Sequence, residues 1–223
     1  MLPTAIAAQL VPYMEHSTTR TSLPESLILQ ISNYLEILLR WNARTNLTAI
    51  RAPEEVVTRH FGESLFAAQK LFPDEFGAGK STLADVGSGA GFPGIPIRLW
   101  SSEFTNPPLQ VTLIESHQKK ATFLREVIRA LHLANIEVQA TRAEQVAQTF
   151  DAVTLRAVEH FDQILPTAAN LVALRGFLAL LIGQEQIATA QSLLPTLQWD
   201  KPHTIPNSTS RVLLIGRRTQ EPS

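Results

Sequence analysis

Three observations predict an α/β chain with a parallel sheet covered on both faces and a helical extension in front of it. Between Thr82 and Ile215, short β-like runs alternate with helix-period segments. A cluster of four glycines follows the first of those runs directly, in "TLADVGSGAGFPGIPIRLW". The residues before Ser81 carry helical signals alone. Strand and helix in alternation make βαβ units, whose strands are parallel and buried on both sides. The extension is assigned to residues 1–80 and the α/β part to residues 81–223, the two forming one compact unit.

Taken in order, the N-terminal "MLPTAIAAQLVPYMEH" has neither a basic leader nor a long apolar core. No window approaches the roughly 18 apolar residues of a membrane span, so a cytoplasmic protein without a membrane partner is expected. "LPESLILQISNYLEILLRWN" places Leu27, Ile31, Tyr34, Leu35, Leu38 and Leu39 at spacings of three and four, a helical stripe. Ser22, with Pro24 and Glu25 behind it, marks its start. A second helix follows Pro53, whose fixed φ suits a first turn, and the helix dipole favours Glu54 and Glu55 there.

The strands are read at Thr82 to Val86, Gln110 to Ile114, Ile136 to Ala140, Asp151 to Leu155 and Phe177 to Ile182. The clearest helix between them is His117 to Leu133. A last run, Arg211 to Ile215, is expected as an edge strand. In open α/β sheets ligands bind beyond the carboxyl ends of the strands. Asp85 to Gly94, Glu115, Ala143 with Glu144, and Arg156 each follow or end one of the first four strands. They would meet over one crevice.

Composition narrows what that crevice does. The 223 residues are 44% hydrophobic and 17% charged and contain no cysteine. Disulfides, thiolate metal sites and cysteine nucleophiles are thereby excluded, and no metal is expected. A net charge of −1 and a pI near 6.6 rule out a molecule-wide basic field, so a nucleic-acid substrate needs locally gathered cations.

Gly89, Gly91 and Gly94 fit the dinucleotide fingerprint G-x-G-x-x-G, and a sulfonium cofactor fits the same turn. Asp85, two residues before Gly87, stands at the mouth of the turn in this reading. There it repels a pyrophosphate and attracts the ammonium and positive sulfur of S-adenosylmethionine. Glu115, ending "VTLIE", suits the two ribose hydroxyls of either cofactor. Ala143 and Glu144, in "TRAEQV", are placed to flank an adenine.

"DVGSGAGFPGIP" resembles the glycine motif of the RsmG family, also called glucose-inhibited division protein B. The likeness continues in "WNARTNLTAIRAPEEVVTRHFGES", "LIESHQKKATFL", "RAEQV" and "TLRAV". The resemblance implies a class I S-adenosylmethionine-dependent methyltransferase fold, Rossmann-like, with a seven-stranded sheet of six parallel strands and one antiparallel strand. It implies methyl transfer to N7 of a guanosine in small-subunit ribosomal RNA, within the small ribosomal subunit. It places cofactor contacts on Gly87, Phe92, Ala143, Glu144 and Arg156, and the family's acidic residue on Glu115; Asp85, Gly89 and Gly91 complete the set read from the residues. Two positions depart: Glu63 stands where the family usually has Asp, and Ile182 where many members have Lys before Gly-Gln.

Guanine N7 has a free lone pair and no proton, so its methylation requires positioning and no general base. Arg156 is the candidate positioning residue, at the cofactor carboxylate or at the target base. Arg59, His60, Lys119, Lys120 and Arg125 are candidate RNA contacts, with Arg51, Arg129, Arg211, Arg217 and Arg218 extending the surface. "NPPL" at Asn106 to Leu109 lacks the aromatic of amine methyltransferases and precedes the second strand, so it is read as a loop. The rival readings are a nicotinamide-dependent Rossmann oxidoreductase and a non-catalytic nucleotide- or RNA-binding module.

Overall fold

The structure, a computed structural model, describes residues 1–14, 23–73, 81–157 and 160–219. Among the described residues four α-helices precede the sheet: α1 (Pro3–Leu10), α2 (Glu25–Thr45) and α3 (Pro53–Glu55), the last running through a π-helical segment, Val56–Gly62, into α4 (Glu63–Leu71). The apolar stripe read in α2 is its buried face, with Leu27, Ile31, Tyr34, Leu35 and Leu38 all inside. The expected start at Ser22 and the boundary at residue 80 both fall outside the described residues.

The strands are β1 (Thr82–Val86), β2 (Gln110–Ile114), β3 (Ile136–Gln139), β4 (Phe150–Arg156), β5 (Val172–Gly183), β6 (Gln198–Trp199), β7 (His203–Thr204) and β8 (Arg211–Arg217). They are ordered β3-β2-β1-β4-β5-β8-β6, with β7 also on β8. Strands β1 to β5 are mutually parallel; β8 is antiparallel to β5, and β6 is antiparallel to β8. Six of the seven strands on this path therefore run one way and β8 runs the other, as the resemblance implies. Between them lie α5 (Gly94–Phe104), α6 (Gln118–Ala130), α7 (Phe161–Asn170) and α8 (Ile187–Leu193).

Two strand readings are corrected. Arg211–Arg217 is not an edge strand: it is inserted between β5 and β6, with Leu180 opposite Leu214. Its continuous apolar run, buried from Val212 to Gly216, has the signature of a strand covered on both faces. β5 also begins five residues earlier than read, because Leu174 and Arg175 are exposed and break the apolar signal at its start. The Asn106–Leu109 stretch is loop, as expected.

Strand alternation divides the core. Leu83, Leu113, Ala152, Ala179 and Leu213 face one side, where they join the buried residues of α1, α2, α4, α5 and α6 in one cluster. Ala84, Val86, Val153, Leu180 and Leu214 face the other, against α7 and α8. The helical extension thus packs directly on the first face of the sheet, and its loops reach the carboxyl ends of the strands.

Candidate active site

A cleft of about 800 Å³ lies beyond the carboxyl ends of β1, β2 and β4. One wall is the glycine turn, Gly87 to Ala90 with Phe92. The loop Leu47 to Ile50, Arg59 and His60, whose ring lies on Phe92, continue the lining. Glu115, Lys120, Glu144 and Arg156 close its ends.

The turn needs its glycines for two different reasons. Gly87, Gly89 and Gly91 all have left-handed backbone, with φ of 67°, 57° and 86°. Gly87 and Ser88 donate backbone N–H to Ile114 O at 2.9 and 3.1 Å, which aims the following amides at the cleft. Gly91 does not line the cleft: a Cβ there would run into Tyr34 Oη and lie 2.7 Å from Ile95 Cδ1. Its role is to let α2 approach, and Tyr34 uses that approach to donate to Ala90 O. A tyrosine in the apolar stripe of α2 was the available sign, since a buried phenol needs an acceptor.

Asp85 is placed differently from its sequence reading. By strand alternation it shares the face of Leu83, and it is 1% exposed, away from the cleft. Its Oδ2 accepts from Gly94 N at 3.2 Å and its Oδ1 from Thr154 Oγ1 at 2.8 Å. Burial pushes its carboxyl up to about 6, against those hydrogen bonds. Asp85 ties the end of β1 to the first turn of α5; it does not present an open carboxylate to a ligand.

Glu115 keeps its place in the cleft. Its Oε2 accepts from Gly89 N at 2.8 Å and its Oε1 from His117 N at 2.7 Å, so one carboxylate joins the glycine turn to the start of α6. Each oxygen retains a further lone pair for a hydroxyl. Ala143 is buried in a short turn, Ala143–Gln145, and Glu144 beside it lines the cleft. On α6, Lys120 lines the cleft, while Lys119 and Arg125 are exposed and do not.

The π-helical segment brings Arg59 and His60 to the site. Widened helical turns of this kind recur at functional sites. His60 stacks on Phe92 with ring centroids 4.7 Å apart, and Phe92 stacks on Tyr34 at 5.3 Å. The other partners of His60 are Arg156 Nη1, 3.1 Å from Nδ1, and Thr48 Oγ1, 2.9 Å from Nε2. A guanidinium only donates, so Nδ1 accepts and Nε2 carries the hydrogen toward Thr48. Burial, and then the charges of Arg156 and Arg59, push His60 down to about 3 and keep it neutral.

Arg156 ends β4 with its side chain 9% exposed. Its Nη2 donates to Arg59 O at 2.6 Å and to Glu63 Oε2 at 3.1 Å. Glu63, 1% exposed, also accepts from Arg211 Nε at 2.7 Å. Arg59 Nε lies 3.2 Å from Glu63 Oε1 but is not aligned as a hydrogen bond. One carboxylate from the extension therefore holds guanidinium groups from β4, β8 and its own helix. Among the described residues no group of three or more His, Asp or Glu side chains is placed to hold a metal ion.

The family described as rRNA small subunit methyltransferase G matches residues 27–207. The chain belongs to that family. "Ribosomal RNA small subunit methyltransferase G" of Xanthomonas axonopodis pv. citri is 38% identical over 189 residues, covering 82% of this chain and 84% of the relative. The protein of that name from Stenotrophomonas maltophilia is 40% identical over 192 residues, covering 84% and 83%. Among solved structures, magnesium protoporphyrin IX methyltransferase from Synechocystis with bound SAM superposes with a TM-score of 0.62 at 14% identity, over 90% of this chain and all of that one. At that identity the likeness shows the class I methyltransferase fold.

Membership in the small-subunit methyltransferase G family favours methyl transfer over the nicotinamide-dependent reading. Of the positions the resemblance implies, Gly87, Phe92, Glu144 and Arg156 border the cleft, whereas Ala143 is buried and is not part of its lining. Glu63, which reads in the sequence only as a departure from Asp, is the centre of the arginine cluster. Its link to Arg211 spans 148 residues, a pairing with no local sequence signal.

Proposed function

We propose that this chain transfers a methyl group from S-adenosyl-L-methionine to N7 of a guanosine in small-subunit (16S) ribosomal RNA, acting in the cytoplasm on RNA within the small subunit. The observation that carries the reading is the single cleft in which the glycine turn, Glu115 and Arg156 converge. The residues fit the cofactor: about 800 Å³ lies within the 300–1,000 Å³ of ordinary small-molecule sites, and Glu115 has lone pairs left for ribose hydroxyls. Glu144 is the acceptor at the adenine end, and Gly87, Gly89 and Phe92 form the wall toward the methionine end. Bound there, the cofactor supplies an electrophilic methyl group on a sulfonium sulfur.

The chain's own residues position and exclude; none is required to move a proton. N7 presents a lone pair, so no base is needed, and His60 is neutral with both ring nitrogens engaged. The ring stack of His60, Phe92 and Tyr34 gives the cleft a rigid apolar wall, and Arg156 stands at its end with three fixed partners. Rate enhancement then comes from alignment of nucleophile, methyl and sulfur.

Labelled methyl transfer into small subunits from cells lacking the endogenous enzyme tests the reading. The wild-type chain should label the ribosomal RNA, and Arg156→Ala should lose most of that transfer while keeping a cooperative unfolding transition. No label in the RNA, or near-normal activity in Arg156→Ala, would contradict it.

A further inference from the structure

A second, smaller pocket of about 160 Å³ lies on the far side of Arg156 from the glycine turn. In sheet order the cleft covers the ends of β2 and β1, Arg156 ends β4, and this pocket continues over the ends of β5 and β8, at Gly183 and Arg211. Arg59 and Arg156 line both spaces.

Three guanidinium groups, Arg59, Arg156 and Arg211, line the pocket against one carboxylate, Glu63. Two further acids stand beside it: Glu55 pairs with Arg59 at 3.9 Å, and the Glu185 side chain lies over Gly183. Among the described residues, Arg211 spends only Nε on a hydrogen bond, and the buried Nε of Arg59 has no hydrogen-bond partner. Gln186 Oε1 accepts from Gly183 N at 3.1 Å, which leaves its amide hydrogens as donors. The opposite lining, Phe161, Leu181 and Ile182, is apolar. At about 160 Å³ the pocket is below the size of ordinary cofactor sites and has room for about five waters, the scale of an anionic fragment.

We propose that this pocket seats a phosphodiester of the RNA backbone adjoining the target guanosine, with Arg211, Arg59 and Gln186 as its donors. The inference rests on the RNA substrate proposed above. Arginine forks suit phosphate oxygens, and a phosphate held beyond Arg156 fixes the RNA register while the base reaches across Arg156 into the cleft. The carboxylate of the cofactor is the competing occupant. It would have to reach past Arg156, three of whose five N–H donors are held by Glu63, Arg59 O and His60.

Equilibrium binding tests the seat without turnover, so its failure is separable from failure of the N7 assignment. Affinity for small-subunit RNA across a salt series, and affinity for S-adenosylhomocysteine, are measured on wild type, Arg211→Gln and Gln186→Glu. Arg211→Gln should weaken RNA binding about tenfold and lower the salt slope by about one. Gln186→Glu keeps the acceptor for Gly183 N, leaves the Glu63 cluster intact and puts an anion in the pocket; it should weaken RNA binding by at least as much. Both should bind S-adenosylhomocysteine as wild type does. RNA affinity unchanged in either variant would overturn the proposal, as would loss of S-adenosylhomocysteine binding in parallel. Arg211-dependent binding of inorganic phosphate alone, with RNA affinity unaltered, would also overturn it.

Discussion

The glycine turn lines the cleft, the Glu63 cluster lies where the cleft meets the smaller pocket, and the two are held by opposite physics. The turn is shaped by its backbone: three left-handed glycines lie within five residues, and Gly87 and Ser88 donate their N–H groups to Ile114 O on the neighbouring strand. The cluster is assembled from three distant segments, and one buried carboxylate keeps its cations together. A turn of the first kind is sensitive to a Cβ added at its left-handed glycines, most of all at Gly91. A cluster of the second kind tolerates changes of shape but not loss of its counter-ion.

The sharpest way to break this contrast is Glu63→Gln. Removing the carboxylate leaves the buried guanidinium of Arg156 uncompensated, which costs about 3–5 kcal/mol. Urea unfolding should show that loss, and a change below about 1 kcal/mol would mean that the cluster is not structural. Within the turn, Gly91→Ala meets Tyr34 and Ile95 and also forces a left-handed alanine, so roughly 3–4 kcal/mol is expected. Gly89→Ala finds open space, its nearest atom 3.7 Å away, and should cost only the backbone strain of about 1–2 kcal/mol. Equal losses in the two alanine variants would remove the distinction between packing and ligand-facing glycines.

Two buried groups, Asp85 and His60, make stability depend on pH in opposite senses. Asp85 rises from 3.8 unfolded to about 6 folded, so its ionised form opposes folding; the cost grows from pH 3.8 to 6 and is complete above. Asp85→Asn should therefore gain on the order of 3 kcal/mol relative to wild type between pH 3.5 and pH 7.5. His60 runs the other way. Lowered from 6.5 to about 3, it confers stability that is intact above pH 6.5 and lost as pH falls toward 3. In His60→Gln that acid-side slope should disappear, a difference of about 2 kcal/mol at pH 5 read from denaturant midpoints.

What could be read from the sequence follows the same division. The strands β1 and β2 matched residue for residue because their apolar runs end at abrupt turn and charge signals. Glu115 was legible as a cleft residue because it ends the second apolar run, and the end of a parallel strand opens on the cleft. Asp85 was misplaced by one consideration: strand alternation sends it to the α5 face, whereas proximity to the glycines suggests the mouth. The short β6 and β7 carry too few residues to show a period. Glu63 with Arg211, and Tyr34 with Gly91, are long-range pairings, and only the folded chain brings them together.

The most direct test of the account is the position of the methyl group. Small-subunit RNA from cells lacking the endogenous enzyme is incubated with the chain and S-adenosylmethionine, then treated to cleave selectively at N7-methylguanosine. Cleavage should appear only with wild-type chain and cofactor and fade with Arg156→Ala. Label incorporated into the RNA without any such cleavage would contradict methylation at N7.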